Sequence, residues 1–148
     1  MQTASIALHD DPAQQFVLRL ADTCLIHSQR LAEWCGHAPV LEEDIALANM
    51  ALDLLGQARA LLTHAGAMGA SASGEVQGED QLAFLRDERE FRNVTLAELP
   101  RGDFAFAVLR NLLLATWLRH YWQRLATSCD AELAAIAARA TKEAGAHW

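Results

Sequence analysis

Residues 31–62 read LAEWCGHAPVLEEDIALANMALDLLGQARALL. The stretch closes one helix, turns at Gly36-His37-Ala38-Pro39 and opens a second helix that is almost wholly apolar. Gly36 suits the left-handed position just past a helix end, and a proline soon after confirms the stop. Glu42, Glu43 and Asp44 crowd the first turn of the second helix, where the peptide dipoles favour anions. Arg59 and His64 fall towards its C-terminal end, where cations are favoured. At about 100° per residue, Glu42, Asn49, Asp53, Gln57 and His64 share an arc of roughly 80°. Most of the remaining circumference is Ala, Leu, Ile and Met, so this helix should be covered on more than one side. A polar line on a buried helix is how helical bundles build cofactor sites. The line is therefore a site, the remnant of one, or a solvated face.

Upstream, Asp11 and Pro12 suit the N-cap and the first helical position, and Gln14 stands where a capping-box partner would. They predict a helix over 12–34 with Phe16, Leu20, Cys24, Ile26, Leu31 and Trp34 inward. Its polar line includes Gln15, Arg19, Asp22, Arg30 and Glu33. Arg19 with Asp22 and Arg30 with Glu33 make i,i+3 pairs.

Downstream, the run AGAMGASASGEVQG predicts a flexible loop, placed over 65–79. A short helix is expected over 80–92, with the charge run from Arg86 to Arg92 as a solvated face. After the break at Pro100-Arg101-Gly102, Asp103 caps a helix over 104–128. Phe104, Val108, Leu112, Ala115, Leu118 and Trp122 form its apolar line, widened by Phe106, Leu113 and Trp117. Asp130 caps a last helix that carries Leu133, Ile136 and Ala137 on one face. The chain reaches His147-Trp148 with no C-cap signal, which reads as an interruption.

The 148 residues suffice for one domain. At 52% hydrophobic and 21% charged they are too apolar to stay disordered. Ala and Leu supply much of that content and strand formers are scarce, so the expected class is all-α. A net charge of −7 argues against phosphate-backbone partners. Cys24, Cys35 and Cys129 are odd in number and form no Cys-x-x-Cys, which fits reduced thiols in a cytoplasmic protein. The opening residues carry no signal-peptide pattern. No uninterrupted apolar run approaches the ~20 residues of a membrane span.

Long helices with inward carboxylates invite comparison with ferritin-like di-metal bundles, which use carboxylate-x-x-His pairs from two of their helices. The residues three before His9, His27, His37, His64, His120 and His147 are Ile6, Cys24, Trp34, Leu61, Trp117 and Ala144. None is a carboxylate. Glu33 with His37 and Glu143 with His147 are i,i+4, and the first pair straddles Gly36. His27 and His120 read as interfacial or core histidines, and Trp117, Tyr121 and Trp122 as packing. Asp53 and Gln57 read first as solvent-facing.

The run LRLADTCLIHSQRLAEWCGHAPVLEEDIALANMALDLLGQAR closely resembles the C subunit of the bacterial phenylacetyl-CoA ring epoxidase, a multicomponent oxygenase of phenylacetate degradation. The likeness continues through LAFLRDEREFRNVTLAELPRGDFA to KEAGAH and covers nearly the whole chain from Val17 onward. It implies a ferritin-like antiparallel bundle, here an N-terminal part of it in one domain over 1–148. It also implies a structural subunit with no catalytic, cofactor-binding or metal residue of its own. That subunit would pair as a heterodimer with an A subunit that carries the di-iron centre, binds phenylacetyl-CoA and epoxidises its ring with dioxygen. A small B subunit and a reductase holding FAD and iron–sulfur, fed by NADPH, complete the implied system.

Matched to the catalytic paralogue's Glu-x-Gly-His pattern, Leu54 stands for the carboxylate and Gln57 for the histidine. The second pair maps onto Ala144 and His147, again without its carboxylate. The resemblance thus makes Leu54, Gln57, Ala144 and His147 remnant positions, beside a polar line of Asp22, Glu33, Asn49 and Asp53. Relatives of this type continue past KEA-x-x-His with further helices, so an apolar face is expected to be open and to drive self-association. Two rival readings are a self-sufficient di-iron oxidase with irregular ligands (Asp53, Glu143, His147) and a generic helical interaction protein.

Overall fold

Asp11 starts the first helix. Its carboxylate accepts from the backbone N–H groups of Ala13 and Gln14, and Pro12 takes the first position, where an N–H has no partner to lose. The computed structural model describes residues 11–146, leaving aside the side chains of 71–73 and 146. Within these bounds the chain forms α1 (Pro12–Ala32), α2 (Leu41–Ser73), α3 (Glu79–Phe84), α4 (Thr95–Glu98), α5 (Phe104–Leu125) and α6 (Ala131–Ala146). A single 3-10 turn covers Glu88–Glu90. There is no strand among the described residues.

α1 and α2 form one helical hairpin and α5 and α6 another. Gly36 turns the first hairpin at φ 79°, and its N–H donates to Asp44 Oδ2 at 2.7 Å. Asp103 caps α5 by accepting from Phe106 N–H, and Asp130 caps α6 by accepting from Glu132 and Leu133. The long crossover from α2 to α5 carries the short helices and lies along α1. The core sits between the four long helices. Leu18, Ala21 and Cys24 of α1 meet Ala58 and Leu61 of α2, Leu118 and Trp122 of α5, and Ile136 of α6. A smaller cluster of Leu31, Trp34, Leu47, Ala51 and Ala107 closes the turn end.

The most covered helix is α1, not α2. Every residue from Leu20 to Leu25 is buried, whereas α2 leaves Ile45, Leu52 and Leu55 exposed. The crossover makes the difference, because it lays a third wall over α1. Arg86 leaves its charge run and is buried against Asp22, so neither the Arg19–Asp22 surface pair nor the wholly solvated 86–92 face exists as expected. Arg92 N–H donates to Asp22 Oδ2 at 2.8 Å and Val94 N–H to Thr23 Oγ1 at 3.2 Å, which fasten the crossover to α1. The expected Arg30–Glu33 pair is present at 2.5 Å.

The helix expected over 80–92 stops at Phe84, because Arg86 must turn inward to meet Asp22. The expected loop at 65–79 is largely helix. α2 runs on to Ser73 and ends at Gly74, whose φ of 77° is left-handed. Gly66 and Gly69 serve close approach there. A Cβ on Gly66 would lie 1.9 Å from the Gln77 carbonyl oxygen, and one on Gly69 2.5 Å from Gln14 Nε2. By length and composition alone, Leu41–Ala70 could cross a membrane, at mean hydropathy 1.3. No uninterrupted run announces it in the sequence, because scattered polar residues break the run without lowering the mean below that level. Its Gln57, Ala58, Leu61 and Leu62 are buried inside the bundle.

Candidate functional site

The i,i+3 spacing of Leu54 and Gln57 puts them on one face of α2, and that face looks across the bundle. A cavity of about 220 Å³ lies there. α2 contributes Met50, Asp53, Leu54 and Gln57, and α6 contributes Ala144. Val108, Asn111, Leu112, Ala115, Leu118 and Trp122 of α5 form the opposite wall, and His27 of α1 completes it. Three of the four positions that the resemblance singles out therefore meet around one space. The fourth, His147, lies outside the described residues.

Gln57 is 5% exposed and bridges two helices. Its Nε2 donates to Glu143 Oε2 at 2.9 Å, and its Oε1 faces the Cys24 sulfur at 4.0 Å. Burial pushes the Cys24 thiol up to about 12, so it stays protonated and donates. Both ends of the amide are thus engaged. Glu143 also lies 3.9 Å from Arg139 Nε. The expectation that Gln57 faces solvent is corrected: α6 covers it.

At the far side, His27 Nε2 sits 3.0 Å from Asn111 Oδ1, and Asn111 Nδ2 sits 3.3 Å from the Met50 sulfur. With the amide nitrogen turned to sulfur, its oxygen accepts, so His27 Nε2 carries the proton. Burial lowers His27 to about 4 against the opposing pull of the Asn111 hydrogen bond, and nearby Arg110 adds to the lowering. The imidazole is neutral at pH 7.

The polar line of α2 divides. Glu42 and Asn49 are exposed, Asp53 is half-buried at the cavity wall, and His64 Nε2 pairs with Asp130 Oδ2 of α6 at 2.7 Å. Burial pushes the Asp130 carboxyl up, but the Leu133 N–H and His64 outweigh it and hold it below its ordinary value. Asp22 and Glu33 are engaged elsewhere, with Arg86 and Arg30. The chain thus brings together only part of the line.

The residues do not fit a di-iron centre. Leucine and alanine offer no ligand atom, and the Gln57 amide is already bonded at both ends. Among the described residues, no group of three or more His, Cys, Asp or Glu is placed to share a metal ion. Trp117 and Tyr121 pack as rings 4.6 Å apart, with Phe16 6.0 Å from Tyr121, as expected for core aromatics. Sequence reasoning does not single out His27 and Asn111 as a pair. The available signal was Arg110-Asn111, a polar pair set inside the apolar run of α5.

The family model for phenylacetic acid catabolic proteins matches residues 1–148. The chain belongs to that family. A member similar to it is the C subunit of 1,2-phenylacetyl-CoA epoxidase from Escherichia coli (strain K12), 53% identical over 132 residues. That match covers 89% of this chain and 51% of the relative, so the chain spans about half the relative's length. As a phenylacetic acid catabolic family member, it has the ferritin-like helical fold that its four long helices display.

Proposed function

We propose that this chain is a non-catalytic, structural component of an oxygenase that epoxidises the ring of phenylacetyl-CoA, pairing with a di-iron catalytic subunit. The observation that carries the reading is the cavity wall. Leu54, Gln57 and Ala144 converge where a ferritin-like enzyme needs carboxylates and histidines, and the Gln57 amide ties α2 to α6 in their place. The 53% identity to an epoxidase C subunit supports the assignment to that system. Iron, in this reading, belongs to the partner, and FAD, iron–sulfur and NADPH to the reductase. A small B subunit also joins the assembly, which works in the cytoplasm.

The test is reconstitution. The 148-residue chain is co-expressed with the tagged catalytic subunit, and the complex is assayed for stoichiometry, iron and turnover of phenylacetyl-CoA. One copy of each chain, with all iron accounted for by the catalytic partner, is the expected result. About two irons bound to this chain alone would instead favour a self-sufficient di-iron oxidase. Failure to copurify would favour a generic interaction role.

A specific feature favours self-association when the partner is absent. Val108, Leu109, Leu112 and Leu113 on α5 are 45 to 54% exposed, an apolar row that water covers poorly. Light scattering on the isolated chain should report a mass above 16.2 kDa that falls to the monomer value with Leu109→Glu/Leu113→Glu. A monomeric parent would rule this out.

A further inference from the structure

We propose that the central cavity is itself a binding site for one small, uncharged aromatic molecule. An enclosed apolar cavity of about 150 Å³ already holds a benzene ring; this one measures about 220 Å³ and opens to solvent beside the half-exposed Val108 and Leu112. Its walls are chiefly hydrocarbon, indole and thioether, from Leu54, Val108, Leu118, Trp122 and Met50. Aromatic faces and methionine sulfur both make favourable ring contacts. Its side-chain amides are already engaged, Gln57 with Glu143 and Cys24 and Asn111 with His27 and Met50, which leaves His27 Nδ1 as a buried acceptor without a partner among the described residues. Among these neutral groups a ligand therefore meets one open acceptor, and further hydrogen-bonding groups would shed water without return. Asp53 is the one ionisable carboxylate on the wall and disfavours an anion there. The chemistry selects a small neutral ring, and rejects the same ring bearing a carboxylate. This site is separate from any catalytic role, and it does not depend on the proposed pairing with an oxygenase partner.

Trp122 is 1% exposed and lines the space, so it reports occupancy directly. The test is an NMR titration of the full 148-residue chain with toluene, and with benzoate as the charged comparison. Toluene should shift the Trp122 indole and the Leu54 and Leu118 methyl signals saturably with a one-to-one endpoint, while benzoate leaves them in place. Ala115→Leu fills the cavity from α5 and should weaken toluene binding at least tenfold with the circular dichroism spectrum unchanged. Should that variant not fold, Ala144→Leu fills the same space from α6. Absence of a saturable shift up to the solubility limit of toluene overturns the proposal. So does unchanged binding in the folded filled variant, or a shift of equal size at exposed Phe84. Equal binding of benzoate overturns the selectivity.

Discussion

Arg86 and Asp22 form a two-pronged ion pair with both side chains fully withdrawn from solvent: Nη2 meets Oδ1 at 2.5 Å and Nη1 meets Oδ2 at 2.9 Å. The carboxylate takes a further N–H from Arg92, while the guanidinium lies 4.3 Å from the Phe91 ring centre and its Nε donates to the Leu82 carbonyl. Removing one partner strands the other as a buried charge. Asp22→Ala should therefore destabilise the fold by about 3–5 kcal/mol, read as a lowered urea midpoint. The double variant Asp22→Leu/Arg86→Met should recover much of that loss. If the double variant is as unstable as the single, the pair holds the crossover by more than charge.

His27 makes the stability pH-dependent. Its folded value is about 4, below the ordinary 6.5, so between these limits the unfolded chain binds more protons. Stability from this group is complete above pH 6.5 and is lost as pH falls towards 4. The full loss approaches about 3 kcal/mol, since each pH unit between the folded and unfolded values is worth about 1.4 kcal/mol. Melting temperature measured from pH 7 to pH 4 should fall, and His27→Gln should flatten that slope. A slope unchanged by the substitution would show that other groups carry the dependence.

How far the molecule was legible from its sequence can be judged residue by residue. Asp11, Asp103 and Asp130 mark helix starts because capping is local chemistry, and all three act there; Gly36 is left-handed as expected but sits in the turn beyond Glu33, where α1 has already ended. Gly66 and Gly69 misled, because a glycine placed for close approach looks like a glycine placed for a turn. The partner of each, Gln77 or Gln14, is set by tertiary contact alone. Asp22 misled similarly: its i,i+3 neighbour Arg19 is visible in sequence, while Arg86 lies 64 residues away. The convergence of Leu54 and Gln57 was legible from helical spacing, but the meeting with Ala144 required the resemblance. Asn111 and its link to His27 crossed helices and left no periodic trace.

Gln57→Glu isolates the chemistry of the cavity wall. The new carboxylate would face Glu143 at the distance of the present 2.9 Å hydrogen bond, in a site 5% exposed. Like charges there resist ionising together. The variant should be less stable than the parent by about 1.5–3 kcal/mol at pH 7, the scale of a lost hydrogen bond to a charged group. Equal melting temperatures at pH 7 would refute this account.

Arg110 is 1% exposed, yet among the described residues its Nε and Nη2 have no hydrogen-bond partner. Nη1 alone is hydrogen-bonded, to the Leu99 and Pro100 carbonyls at 2.6 and 3.2 Å, while the guanidinium lies 5.2 Å from the Phe106 ring centre. A buried cation so incompletely satisfied is costly, and an apolar replacement of similar length is expected to stabilise by about 1 kcal/mol or more. Thermal unfolding of Arg110→Met measures it. A lowered midpoint would show that clamping the two carbonyls outweighs the desolvation.

The Gln57 bridge also sets how hard it would be for this cavity to take up a metal centre. Two divalent ions bring four positive charges, and an enclosed site balances them with several carboxylates acting together. Here the walls hold Asp53, with Glu143 behind the amide, and the rest is neutral. Each ligand added singly would bury an uncompensated charge and cut the α2–α6 tie before any metal arrived to offset it. A route from this wall to an iron-binding one therefore runs through less stable intermediates, and the neutral amide acts as a ratchet against it.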